Sequence, residues 1–340
     1  MFDDLIGNGP AKTILGRLVK NGRVPNSLLF SGPDGVGKKG FALEIAKALI
    51  CREQGCGHCP ACRRVAAFTP PKSEKKEDYE RVHFTEHPDV GVILPYNRNI
   101  LVDAIRELER EAYFRPYEAE VRVFIIEDAD KMNDNASNAL LKTLEEPAQT
   151  SFIFLLTWRP DSMLQTIHSR CQVIRFACLE TKEIEKFLVK TEKFSPLDAG
   201  LVARLCGGSI GRALEMDVEK FYAARESMLR VVESAITGAG RVVLLQTAEI
   251  MSDAKNKDAY ESSLEILQAI IRDTWILKVG GDAGDIVNID LVDRLENLSI
   301  RADAGRLSRW MSEIELLRES LMVNVNRKIA TDALFTQMAA

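Results

Sequence analysis

Two rhythms of apolar residues run through the first half of this chain: short unbroken runs, and stretches where apolar residues return every three or four positions. The runs Ser27-Leu28-Leu29-Phe30, Val90-Gly91-Val92-Ile93-Leu94, Val121-Arg122-Val123-Phe124-Ile125-Ile126, Phe152-Ile153-Phe154-Leu155-Leu156 and Val173-Ile174 predict strands. Helical spacing predicts helices from Asn8 to Lys20, closed by Asn21-Gly22, over Phe41 to Leu49, over Ile100 to Leu108, and from about Asn135 to Glu145, where Pro147 stops it. Strands alternating with helices predict an α/β fold, a parallel sheet covered on both faces through right-handed crossovers. After Leu179 the strand signal ends. Thr181 to Lys190, Asp198 to Cys206 and Ile210 to Met216 predict short helices, with Gly207-Gly208 as a break. Beyond Asp217 longer helices carry core stripes, one with Leu264, Leu267, Ile271 and Trp275, another with Leu307, Trp310, Met311, Ile314, Leu317 and Leu321. The pattern divides the chain into an α/β domain at 1–178, a small helical lid at 179–218 and a C-terminal helical bundle at 219–340.

Composition narrows the function classes. In 340 residues no apolar run approaches the ~20 that a membrane span needs, and the opening Met1-Phe2-Asp3-Asp4 is acidic where a signal peptide is basic. A cytoplasmic protein is therefore expected, with no membrane partner. A formal net charge of -5 gives no whole-chain pull toward nucleic acid, so contact with DNA has to come from a local patch or from partners. Four of the seven cysteines fall between positions 51 and 62, which predicts a metal site rather than a disulfide framework. Cys171, Cys178 and Cys206 are scattered and read as small hydrophobes. The mixed-sign stretch from Pro70 to Asp78 reads as a solvated loop.

The first strand runs into Ser31-Gly32-Pro33-Asp34-Gly35-Val36-Gly37-Lys38-Lys39-Gly40, and Gly32, four residues, Gly37 and Lys38 have the spacing of a P-loop. Backbone N–H groups of such a loop and the positive end of the following helix bind anions. Where the motif needs a Ser or Thr hydroxyl for Mg²⁺, this chain has Lys39, which has no lone pair and carries a positive charge. Its side chain can swing away from a metal, but the missing ligand stays missing. The motif leaves ATP binding open and disfavours Mg²⁺ and metal-assisted hydrolysis. Ligands of parallel sheets sit beyond the carboxyl ends of the strands, where Gly32, Glu127 and Thr157 fall. Glu127-Asp128 closes an apolar strand with two acids, the pattern that in P-loop ATPases holds Mg²⁺ and polarises water.

Cys51, Cys56, Cys59 and Cys62 contain two overlapping Cys-x-x-Cys pairs, and four thiolates suit tetrahedral zinc stapling a loop-rich insertion. The same spacing also begins an iron–sulfur run, and His58 reads as an exposed knuckle residue with displacement of one thiolate as the alternative, so the residues alone leave the cluster type and the fourth ligand open.

Further along, Asn138-Ala139-Leu140-Leu141-Lys142-Thr143-Leu144-Glu145-Glu146-Pro147, Thr157-Trp158-Arg159-Pro160 and Ser169-Arg170-Cys171 resemble the helix, sensor strand and Ser-Arg-Cys motif of bacterial DNA polymerase III clamp-loader subunits. The resemblance runs the whole chain. It takes in Ile6-Gly7, the cysteine cluster, His87-Pro88-Asp89, Gly211-Arg212-Ala213-Leu214 and Asn324-Val325-Asn326-Arg327-Lys328. It implies an AAA+ P-loop domain with an inserted four-cysteine zinc module near 51–62, a lid and a helical collar. It also implies Arg212 as a second sensor and Arg170 as an arginine finger acting in trans, on a phosphate held by the neighbouring subunit. A surface charge at Arg212 and a local ion pair at Arg170 are the bland alternatives.

The gamma/tau subunits of that family keep Gly-Lys-Thr or Gly-Lys-Ser and an Asp-Glu pair. This chain departs at Lys39 and at Glu127-Asp128, where the acid order is reversed and Asp128 is one methylene shorter than the Glu it replaces. The resemblance therefore implies a largely non-catalytic scaffold. Its partners would be clamp-loader subunits of the gamma/tau and delta types, the sliding clamp and primer–template DNA. An active AAA+ motor of the gamma/tau or replication-factor type is the rival, and a zinc-dependent nucleic-acid-binding module the third reading.

Overall fold

A computed structural model describes the chain except Met1, Asp3, Lys72, Ala239, Ala254, residues 256–258, residues 322–325, Ala340 and the side chain of Arg241. Asn324 and Val325 of the closing motif thus lie outside the described residues. The chain divides into two compact units, Met1–Ala199 with Cys206–Glu215, and Gly200–Leu205 with Met216–Ala340.

In the first unit α1 (Gly9–Lys20) leads to β1 (Ser27–Ser31), α2 (Lys38–Ile50) and α3 (Pro60–Ala66). There follow β2 (His83–Phe84), β3 (Val90–Ile93), α4 (Val102–Ala112), β4 (Arg122–Ile126), α5 (Asp134–Glu145), β5 (Ser151–Thr157), α6 (Gln165–His168) and β6 (Gln172–Arg175). Three further helices, α7 (Thr181–Lys190), α8 (Pro196–Leu205) and α9 (Ile210–Glu215), complete the run, α8 being divided between the units. The strands form one six-stranded sheet in the order β2-β3-β4-β5-β1-β6. Strand alternation splits each strand between two cores. Leu28, Phe30, Val123, Ile125, Phe154 and Leu156 face the core shared with α1 and α2. Leu29, Phe124, Ile126, Ile153 and Leu155 face the one shared with α4 and α5. This two-sided burial is why the strands read as unbroken apolar runs.

One edge departs from the expected all-parallel sheet: β2 pairs antiparallel to β3. The link between them, Thr85 to Asp89, is too short for the crossover that a parallel pair requires. At the end of the stretch read as a solvated loop, Lys76–Tyr79 forms a 3₁₀ turn, and the ring of Tyr79 lies tilted against that of Tyr96, centroids 5.4 Å apart. Arg122, inside a predicted strand, is fully buried because Asp89 and Glu111 compensate its charge, with Nη2 2.8 Å from Glu111 Oε2. Asp89 in turn accepts the N–H groups of Tyr117, Glu118 and Ala119, fixing the turn that enters β4.

Register places the functional rim. Ser31 pairs with Thr157 and Ile126 with Leu155, so the carboxyl ends of β1, β4 and β5 finish together.

In the second unit α10 (Val218–Thr237), α11 (Arg241–Ser252), α12 (Tyr260–Lys278), α13 (Val292–Arg301), α14 (Ala304–Ser320) and α15 (Arg327–Met338) enclose one core. α12 packs against α10, α13 and α14. The predicted stripes lie in this core, Leu264, Leu267, Ile271, Leu307, Trp310, Ile314 and Leu317 buried and Trp275, Met311 and Leu321 half-buried against them. Side chains of Asp217, Asp303 and Asn326 cap α10, α14 and α15. No helix among the described residues is long and apolar enough to cross a membrane.

Candidate functional site

The phosphate loop follows β1 and turns into α2 with Gly37 at its N-terminal cap. The side chain of Lys38 folds back over its own loop. Its Nζ donates to the carbonyls of Gly32 at 2.7 Å and Pro33 at 2.6 Å, bracing its own loop. Burial pushes its amine below the usual lysine range, against the opposing pull of Asp34, Asp128 and Asp130. The start of α9 sits on the same loop, where Gly211 N–H donates to Gly35 O at 2.9 Å. Gly35 has φ +69°, and a Cβ there would fall 2.0 Å from Ser209 Oγ, so only glycine fits. Arg212, one residue on, is exposed, and its N–H donates to Ser209 Oγ at 3.2 Å.

Lys39 does something other than repel a metal. Its ammonium stands 2.6 Å from Glu127 Oε1 and 4.7 Å from the ring centre of Phe68, so the acid at the end of β4 is neutralised by a cation from within the chain. Burial raises the carboxyl of Glu127 above the usual range, Lys39 pulls it back and Asp128 pushes it up further. Asp128 itself adopts the left-handed region at φ 47° and turns its carboxylate to Lys131 Nζ at 2.8 Å. With no lone pair at position 39 and Glu127 already paired, the residues present do not fit the Mg²⁺ site of a working P-loop.

Thr157 is buried, and its hydroxyl donates to Asp130 Oδ1 at 2.9 Å while accepting the N–H of Arg159 at 3.0 Å. Sequence reasoning gave Asp130 no role, although an acid two residues past Asp128 was the signal for it. Phe68 was missed too, since a single aromatic in Ala66-Ala67-Phe68-Thr69 has no periodicity to betray it.

The rim thus brings together Gly32, Lys38, Lys39, Glu127 and Thr157, with Gly37 at the head of α2 and Asp128 turned aside. Arg170 touches none of them in its described contacts. It follows α6, and its Nη2 stands 2.5 Å from Glu145 Oε1, while Nη1 donates to Thr166 O at 2.8 Å and Ser169 Oγ at 3.2 Å. The local ion pair foreseen as the bland alternative exists, and its partner Glu145 was not foreseen.

The four cysteines form the second site. Cys51 ends α2, Cys59 caps α3, and all four Sγ atoms lie within 4.8 Å of one another. Cys51 Sγ is 3.7 Å from that of Cys56 and 3.8 Å from that of Cys59, far beyond a disulfide bond of ~2.05 Å. A tetrahedron with metal–sulfur bonds of ~2.3 Å has edges of ~3.8 Å, so the cluster has the size of a four-thiolate metal site. N–H groups of Glu53, Cys59 and Cys62 point at the sulfurs of Cys51, Cys56 and Cys59, each at 3.4 Å. Burial alone raises the Cys51 thiol, but backbone N–H groups of Cys56, Glu53 and Gly55 outweigh it and bring it down to about 6. Burial pushes Cys62 up to about 12. His58 is exposed, with Nδ1 3.0 Å from Cys56 O, outside the four-sulfur set. Of the other cysteines, Cys171 and Cys206 are buried but Cys178 is exposed, so the small-hydrophobe reading fails for Cys178.

Residues 7–180 match the family model described as DNA polymerase III, delta subunit, and residues 219–339 match the model of its C-terminal part. DNA polymerase III subunit delta′ of Bacillus subtilis (strain 168) is 28% identical over 309 residues, 91% of this chain and 89% of that one. The delta′ subunit of Escherichia coli (strain K12) is 29% identical over 316 residues, 91% and 87% of the two chains. DNA polymerase III subunit tau of Bacillus subtilis (strain 168) is 28% identical over 78% of this chain but 46% of its own length. With family models matching both the sheet-bearing part and the helical part, the chain belongs to the DNA polymerase III delta subunit family, among relatives named delta′ and thus to the clamp-loader kind of subunit.

Proposed function

We propose that this chain is a delta′-type clamp-loader subunit that hydrolyses no ATP itself. The α/β domain at 1–178 with the lid at 179–218 takes one position in an AAA+ ring, and the helices at 219–340 join their neighbours in a collar. Arg170 reaches the phosphate held by a neighbouring gamma/tau subunit, and the ring, with a delta-type subunit, opens the sliding clamp and places it on primer–template DNA. The observation that carries the non-hydrolysing part is the 2.6 Å contact between Lys39 and Glu127. An ammonium cannot activate water as a divalent ion does, and it cannot leave the chain. Gly32, Gly37, Lys38, Thr157 and Arg212 then serve as scaffold, with at most a nucleotide held and not turned over. In the cysteine module we assign zinc to Cys51, Cys56, Cys59 and Cys62, because the sulfur spacing matches a single tetrahedral ion and a four-iron cluster needs a wider cage.

The test is ATP turnover by the purified chain with Mg²⁺, beside clamp loading by a complex assembled with and without it. No turnover by the chain and lost loading without it are expected. Turnover near ~1 s⁻¹, within the ordinary enzyme range, would make it a motor of the gamma/tau type instead.

A further inference from the structure

We propose that Glu145 is a positioning residue that aims Arg170 at the phosphate it serves, an inference that rests on the trans role of Arg170 proposed above. Arg170 follows the single turn of α6, and a long side chain in such a place ordinarily loses much rotamer freedom on binding. Here three acceptors already hold it: Glu145 Oε1 at 2.5 Å, Thr166 O at 2.8 Å and Ser169 Oγ at 3.2 Å. Of the five guanidinium N–H groups these use two on Nη1 and one on Nη2. Nε–H and the second Nη2–H have no acceptor among the described contacts, and Nε and Nη2 share the edge that binds phosphate bidentately. Donors fixed before charge develops need no reorganisation when it does, which is how such groups lower a barrier.

Glu145 is set by a helix rather than a loop. It ends α5, Pro147 prevents the helix from continuing, and Tyr113 hydroxyl donates to the carbonyl of Glu146 at 3.2 Å. A carboxylate at that place faces the negative end of the helix dipole, so it works against α5 itself. Its described contact is with Arg170, and α5 packs on α6, so the rigid layer that carries the acid also carries the arginine's segment.

The experiment uses the assembled clamp loader with Arg170→Ala, Glu145→Ala, Glu145→Gln and the double alanine variant, reading kcat and KM for ATP. Glu145→Ala should remove most of the turnover that Arg170→Ala removes, a loss of roughly 10- to 100-fold at the one site served, with KM unchanged. Glu145→Gln, which keeps an acceptor oxygen, should recover part of it, and the double variant should fall no lower than Arg170→Ala. The free Glu145→Ala chain should melt as the parent does, since an exposed pair adds little stability. Normal turnover in Glu145→Ala and Glu145→Gln beside a deficient Arg170→Ala overturns the positioning role while leaving the finger intact. A further drop in the double variant also overturns it, because Glu145 would then act elsewhere. Normal turnover in Arg170→Ala removes the finger reading itself.

Discussion

Position 39 carries an ammonium where a P-loop has a hydroxyl. A lysine in place of a hydroxyl reads in sequence as a missing metal ligand, and in the folded chain it becomes a tethered counter-ion for Glu127, 2.6 Å away. Restoring the hydroxyl as Lys39→Thr should therefore free Glu127 without creating an ATPase. Asp128 still turns to Lys131, and catalytic groups that act as a unit fail together. Turnover near ~1 s⁻¹ in that variant would show that Asp128 can reach the water after all. The titration of Glu127 gives a second readout. Burial already raises its carboxyl, and Lys39→Ala removes the charge that pulls it back, so the carboxyl should titrate higher still by NMR. A carboxyl raised on folding contributes stability that is present below the unfolded value, near pH 4.3, and lost as pH rises through the folded one. The Lys39→Ala chain should thus lose stability between acid and neutral pH more steeply than the parent in denaturant titrations.

Among the elements, the turn from α2 to α3 has the least apolar material to hold it. Cys51 and Cys62 are buried, but Arg52, Glu53, Gln54, Gly57 and His58 are exposed, so the zinc proposed for the four thiols would supply what a core does elsewhere. Elemental analysis should find about one zinc per chain and no visible absorbance band, because Zn²⁺ is d¹⁰. Iron with a brown colour would refute that assignment. Cys59→Ser should raise hydrogen exchange across 51–70 while the core of α10 to α15 keeps its protection. Phe68 closes that segment and lies against Lys39, so exchange at the head of α2 should rise as well.

At the scale of the whole molecule, one unit carries the sheet and the other is helical, the division that the proposed ring and collar would need. Arg170→Ala in an assembled ring separates a finger acting in trans from a local ion pair. Removing such a finger costs on the order of 10³ to 10⁵ in rate at the site it serves. With several sites in the ring, total turnover should fall partially and clamp loading further, with assembly confirmed by sizing. Normal turnover and loading in an intact ring would leave Arg170 a structural residue.

Period and punctuation in the amino-acid sequence determined the strands β1, β3, β4 and β5, their helices and the helical C-terminal half, because burial on two faces or on one stripe repeats at a fixed spacing. They also placed Gly32, Glu127 and Thr157 on one rim, since carboxyl ends of parallel strands finish together. The cysteine cluster was legible for a different reason: its four thiols lie within a dozen positions, so local chain geometry brings them together. What only the tertiary structure decided were the partners. Lys39 meets Glu127 and Phe68, Thr157 meets Asp130, and Arg170 meets Glu145 across loops and helices. A side chain's charge is written in the sequence, but which opposite charge it finds depends on register and crossover, and those are settled only when the cores close.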